Sequence, residues 1–238
     1  MKDLTTFTLS VIQELEDEGR FGTAHVYRSM LRAFQRYWES QHPKTEIRMR
    51  KVFDVATIQK FERHLLERML KLNTMSTYLR MLRAVYNRAL LAGLTGYVPG
   101  RFKHVYTGID KTVKRALPLE IIKQLKELDL SLNPRLELAR DMFLFSFYTR
   151  GMSFIDMAQL TPSNLHGSTL IYRRQKTSQQ LHIKWEPAMQ EIVAKYKTDD
   201  SPYLLPIAKG EGAIFWRQYK NAYSRITKQL KKIGEMIG

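Results

Sequence analysis

The stretch Phe147-Tyr148-Thr149-Arg150-Gly151-Met152-Ser153-Phe154-Ile155-Asp156-Met157 carries the decisive pattern in this 238-residue chain. Apolar residues before it predict a long helix from Leu136 to Thr149, preceded by a turn at Asn133-Pro134. Gly151 breaks that helix, and a short second helix is expected through Leu160. Polar and charged residues (Arg150, Ser153, Asp156) are thereby gathered at a tight helix–turn–helix inside an apolar setting.

Downstream the period changes from helical to alternating. Ser168 to Arg174 and Leu181 to Trp185 are β-rich runs around a polar turn, the pattern of a hairpin. Pro187 starts another helix ending near Tyr196, and Tyr203 to Pro206 reads as a short extended piece. Gly212 to Ile233 is a final amphipathic helix with Phe215, Tyr219, Ala222, Ile226, Leu230 and Ile233 inward. On this reading Tyr219 and Tyr223 are packing residues, as are Trp38, Phe61, Phe143, Trp185 and Trp216. Upstream, Pro118 suits the first position of a helix.

The first hundred residues read as four helices. Leu4, Phe7, Val11, Ile12 and Leu15 mark the first, closed by Gly19 and Gly22. Thr23 is placed as cap of the second, Thr57 stands before the third, and Asn73 or Thr74 opens the fourth, which runs to Gly93. The loop Gly96-Tyr97-Val98-Pro99-Gly100 follows, and the basic, weakly periodic stretch after it reads as a linker. No repeat of solenoid length is visible.

Thirty-nine Lys and Arg against twenty-three Asp and Glu leave a net charge of +16. A surplus of that size repels itself in a compact fold and points to an anionic partner, nucleic acid before a membrane surface. The second helix places His25, Arg28, Arg32 and Gln35 on one stripe. The fourth does the same with Ser76, Arg80, Arg83 and Asn87, because steps of four, three and four return to one face. The last helix adds Arg217, Lys220, Lys228 and Lys231. Cations there suit phosphates, and Ser, Asn and Gln suit phosphate or base-edge contacts. Any one such face is also what an ordinary solvated helix shows; three faces and a basic linker favour double-stranded DNA.

Other function classes lack their marks. The chain has no cysteine, excluding disulfides and thiolate metal sites. Its six histidines show no zinc spacing, and no glycine loop for phosphates or dinucleotides occurs, so no metal or cofactor is expected. The acidic Glu14-Glu16-Asp17-Glu18 region leaves no signal-peptide core, and the apolar stretch Met142 to Tyr148 is too short for a bilayer. A cytoplasmic protein with no membrane partner is the expectation.

Four segments, in order, resemble the tyrosine recombinase (phage integrase) family, of the mobile-element integrase type. Asn73-Thr74-Met75-Ser76-Thr77-Tyr78-Leu79-Arg80 through Asn87 resembles its core-DNA-binding helix, and Arg115-Ala116-Leu117 the entry to its catalytic domain. Phe147 to Met157 resembles its first conserved box. Tyr172-Arg173-Arg174-Gln175-Lys176-Thr177 resembles the hairpin with the catalytic lysine.

The resemblance implies a mainly α chain. A four-helix SAM-like core-DNA-binding domain (1–100) would be followed by a basic interdomain linker (101–117) and the N-terminal part of an α+β catalytic domain (118–238) with a small β-hairpin. It implies site-specific DNA breaking and rejoining through a phosphotyrosyl intermediate, without metal or cofactor, by a tetramer assembled on DNA. Lys176 would be the general acid toward the 5′-oxygen, Asp156 would position a basic partner, and Arg28, Arg32, Ser76, Arg80, Arg83, Asn87, Arg173 and Arg174 would bind DNA.

Two departures qualify this. Ser153 occupies the place of the family's first catalytic arginine, and a hydroxyl carries no charge. Arg150, one turn earlier, either supplies that charge, as Arg173 or Arg174 also could, or is a helix C-terminal residue facing the dipole. In addition, the family's second box (His-x-x-Arg, then the nucleophilic tyrosine) does not follow Ile233. The expectation is a fragment, monomeric in solution, that binds DNA without cleaving it. The alternative is a non-catalytic accessory or competitor protein from a truncated recombinase gene.

Overall fold

A computed structural model describes residues 3–96, 98–113 and 116–237. Tyr97 of the Gly96–Gly100 loop and Arg115 of the Arg115-Ala116-Leu117 motif lie outside them. The chain divides into two compact units, Met1–Lys114 and Arg115–Gly238.

In the first unit, α1 (Leu4–Asp17) is capped by Asp3, whose carboxylate accepts from the Thr6 amide at 2.8 Å. Gly19, at φ +72°, ends it by letting the Arg20 amide return to the Leu15 carbonyl at 2.7 Å. The second helix, α2 (Phe21–Gln41), begins two residues before Thr23, so Thr23 does not cap it and Gly22 lies within its first turn. A single turn, α3 (Met49–Val52), precedes α4 (Val55–Glu67), which Asp54 caps through the Thr57 amide. The last, α5 (Leu72–Leu91), starts ahead of Asn73. The four expected helices are therefore present, with one extra turn. Their inner faces meet at fully buried Phe34, Phe53 and Phe61, with the Phe34 and Phe61 rings edge-on 4.9 Å apart. Burying each such ring contributes about 2–3 kcal/mol.

Part of the stretch expected as a linker, 101–117, packs on the first unit. Phe102 and Val105 are buried in the first core. Beyond them, the Tyr106 amide donates to Glu62 at 2.6 Å, and Asn73 exchanges two hydrogen bonds with the Asp110 backbone at 2.8 and 2.9 Å. Most of the basic stretch is thus bound to the helices by side chain–backbone bonds, which leave no periodic mark in a sequence.

In the second unit, α6 (Leu119–Glu127) follows Pro118, which sits at the N-cap. The central α7 (Pro134–Tyr148) is capped by Asn133, and its apolar residues are spread around it rather than gathered on one face, as in a helix packed on several sides. It is followed by α8 (Phe154–Ala158), a 3-10 turn (Pro162–Asn164) and a three-stranded antiparallel sheet. Strands β2 (Thr169–Arg173) and β3 (Gln180–Lys184) form the expected hairpin, with Leu170 opposite Ile183 and Tyr172 opposite Leu181. The two-residue β1 (Leu165–His166) on the outside of β2 is too short to show alternation in the sequence.

Helix α9 (Pro187–Tyr196) matches its expected bounds, and α10 (Gly212–Ile237) buries Phe215, Ala222 and Ile233. Tyr203 to Pro206 forms no strand; Leu204 and Leu205 are buried and the Leu204 amide donates to Leu160 at 2.7 Å. Tyr223 touches Phe154 and Tyr219 yet is 47% exposed, so it is a partly solvated ring, not core.

Candidate nucleic-acid interface and catalytic residues

The end of α7 is shaped by backbone geometry. Thr149 folds its hydroxyl back to the Phe145 carbonyl at 2.7 Å. Arg150 then takes a left-handed conformation (φ +58°), followed by Gly151 (φ +83°), whose amide returns to the Ser146 carbonyl at 2.7 Å. A left-handed arginine costs about 1 kcal/mol relative to an ordinary conformation. Its side chain is exposed.

Ser153 caps α8. Its hydroxyl oxygen faces the Asp156 amide at 3.4 Å and its one proton goes to Asp156 Oδ2 at 2.6 Å. The other carboxylate oxygen of Asp156, a residue only 4% exposed, accepts from the Gln175 amide at 2.9 Å. Ser153, Asp156 and the hairpin loop are thus one hydrogen-bonded chain. The single hydroxyl proton of Ser153, expected at the place of the family's first catalytic arginine, is thus engaged inside the turn. Loss of the cap in Ser153→Ala is expected to lower stability by about 1 kcal/mol. Ser153→Thr should restore it in urea denaturation, and an unchanged midpoint for the alanine variant would remove the capping role.

The Gln175 contact fixes the base of a loop spanning 174–179, closed by Arg174 and Ser178 backbone bonds of 2.8 Å. Lys176 stands exposed in it, next to the anchored Gln175. Arg173 is tied to the same loop through the Ser178 carbonyl at 2.8 Å, while Arg174 is half-buried. Burial raises the Tyr172 phenol, and the nearby Asp156 carboxylate raises it further against an opposing pull from Arg174. Tyr219 is raised by burial, then by Tyr223 and Asp156. Both phenols are therefore protonated at neutral pH. Gln175 escaped the sequence reading because its contribution is a backbone amide.

In the first unit α5 exposes Arg80, Arg83 and Asn87. Ser76, expected on the same stripe, is only 2% exposed and donates to the Gly108 carbonyl beneath the 98–113 segment. Arg28, expected among the DNA-binding residues, is half-buried in a two-pronged ion pair with Glu16 at 3.0 and 3.1 Å. Arg32 is exposed. On α10, Arg217, Lys228 and Lys231 are exposed, whereas Lys220 lies over the Trp216 ring. Among the described residues no His, Cys, Asp or Glu cluster could hold a metal, and no helix is long and apolar enough to cross a membrane.

Residues 3–102 match the family model of the phage integrase SAM-like domain. No curated protein sequence matches the chain. Among solved structures it is similar to a lambda integrase dimer bound to a COC′ core site (TM-score 0.60, 14% identity), covering 94% of this chain and 64% of that one. A lambda integrase tetramer bound to a Holliday junction gives TM-score 0.60 and 15% identity over 96% and 67% of the two chains. The Tn1549 transposon integrase in complex with circular intermediate DNA gives 0.56 and 13% over 98% and 80%. The chain thus spans about two thirds of the length of the lambda integrase it matches.

The chain as a whole shares the fold of the lambda and Tn1549 integrases: a helical unit, then a second unit of helices and a small antiparallel sheet.

Proposed function

We propose that this chain is the DNA-holding part of a site-specific tyrosine recombinase of the mobile-element integrase type, acting on double-stranded DNA as a tetramer. The observation that carries the reading is the Ser153–Asp156–Gln175 chain, which ties the turn bearing Arg150 to the hairpin loop bearing Lys176. Both cations are exposed. The similar structures of lambda integrase and the Tn1549 integrase are complexes with DNA, which supports the same partner here.

In the reaction, a tyrosine hydroxyl attacks the scissile phosphorus as the bond to the 5′-oxygen breaks. Lys176 gives its proton to that leaving oxygen, and the Arg150 guanidinium balances charge on the non-bridging oxygens. A duplex-binding chain that lacks cleavage, an accessory or competitor factor, is the second reading; the engaged hydroxyl of Ser153 at the usual arginine position favours it.

Arg80→Ala and Arg83→Ala are each expected to weaken duplex binding by about 1–2 kcal/mol, roughly tenfold, in fluorescence anisotropy. Relaxed discrimination between sites would mark a base contact, and unchanged affinity in both would remove α5 from the interface. Supplied with a second box and nucleophilic tyrosine, the chain should cleave. There Arg150→Gly, which relieves the left-handed strain, is expected to keep or raise stability by about 0.5 kcal/mol while lowering cleavage at least tenfold. Cleavage at the parental rate would return Arg150 to a purely terminal role.

A further inference from the structure

The first unit contains a concavity that the stripe on α5 does not explain. A cavity of about 390 Å³ lies between α5 and the 98–107 segment, and its polar lining includes Arg83, Asn87, Arg101, Lys103 and Thr107. Three cations converge there, and no acidic side chain lines it. Among the described residues none of the three makes an ion pair, and the Arg101 Nε is buried without a hydrogen-bond partner. Like charges gathered without a counter-charge destabilise a fold unless an anion joins them.

The site is held in shape before any ligand arrives. The Tyr86 hydroxyl donates to the Gly96 carbonyl at 3.1 Å and accepts from the Val98 amide at 3.0 Å, fixing its ring. Arg101 lies over that ring, 5.3 Å from its centre, so its planar fork is oriented. Gly100, at φ +66°, begins the turn that presents Lys103, whose amide returns to the Gly100 carbonyl at 2.8 Å.

We infer that this cavity is a seat for a single backbone phosphate of duplex DNA, gripped by Arg83, Arg101 and Lys103 with the Asn87 amide as a further donor. A phosphate suits it better than a base edge. Phosphates stand proud of the duplex and can enter a concave site, whereas bases reach one only when flipped out of the stack. The inference rests on the proposed DNA partner and assigns it a defined anchoring point, including two residues outside the α5 stripe.

The test measures binding of the full chain to a mixed-sequence 30-base-pair duplex across a salt series. Parent, Arg83→Gln, Lys103→Gln and the double variant are compared, with Arg101→Gln as a third probe. Arg83 and Lys103 make no ion pair, so melting curves should be unchanged; Arg101→Gln can loosen the Tyr86 contact and is read only alongside them. One shared phosphate predicts that the double variant loses about 0.9 in log–log salt slope. Its affinity loss should be smaller than the product of the single losses. An unchanged slope, or multiplying losses with a slope change of about 1.8, overturns the single seat while leaving DNA binding intact. If the parent itself binds no duplex, the DNA reading fails and this inference with it.

Discussion

Asp141→Ala is expected to lower the stability of the chain by about 3 kcal/mol. Asp141 is 4% exposed and sits where α7 meets α9. One oxygen accepts from Arg140 Nε at 2.9 Å; the other accepts from Lys195 Nζ and the Tyr196 hydroxyl, both at 2.8 Å. Removing the carboxylate leaves two cations and a phenol facing an apolar gap. Glu137 remains within 2.7 Å of Lys195 and 3.6 Å of Arg140, and Lys195 is over a third exposed, so the cost stays at the low end for a broken buried pair.

The same group gives the stability an acid limb. Burial pushes the Asp141 carboxyl up, but hydrogen bonds from Lys195, Tyr196 and Arg140 outweigh it and hold the group below its ordinary value. A depressed folded pKa contributes fully above the unfolded value, about 3.9, and the contribution is lost as pH falls through the folded value. The gap between parent and Asp141→Ala in urea denaturation should therefore be widest near neutrality and close below about pH 4. A gap independent of pH would show that packing, rather than charge, is what the substitution removes.

Periodicity made the helices and hairpin legible, because burial of one face imposes a spacing that survives in the sequence. Leu4, Val11, Phe61 and Phe215 are readable in this way, and so is the start of α9 at Pro187. Contacts made by polar side chains to distant backbone were not. Ser76 looked like a surface residue on α5 because the helix was considered alone; the segment that covers it arrives thirty-two positions later. Arg28 looked free because its partner Glu16 belongs to α1, and Thr23 looked like a cap because α2 begins without a side-chain cap at Arg20.

In the candidate site, the resemblance to the family's motifs singles out Lys176, Arg150 and Asp156, of which the first two are exposed and the third is buried. The bonds that Ser153 makes to Asp156 leave no mark there, since a capping serine and a phosphate-facing serine occupy the same place in a sequence. The Gln175 amide, which connects the two motifs, has no side-chain signature at all.

Duplex affinity measured against salt tests the central claim most directly: that the surplus of thirty-nine basic over twenty-three acidic residues holds DNA. Exposed Arg32, Arg80, Arg83, Arg217, Lys228 and Lys231 offer enough unburied cations for about six phosphates. Each phosphate neutralised releases counter-ions and adds about −0.9 to the log–log slope, so affinity should fall about a thousandfold or more between 50 and 200 mM salt. Binding that changes little over that range, or no binding of duplex at 50 mM, would contradict the account.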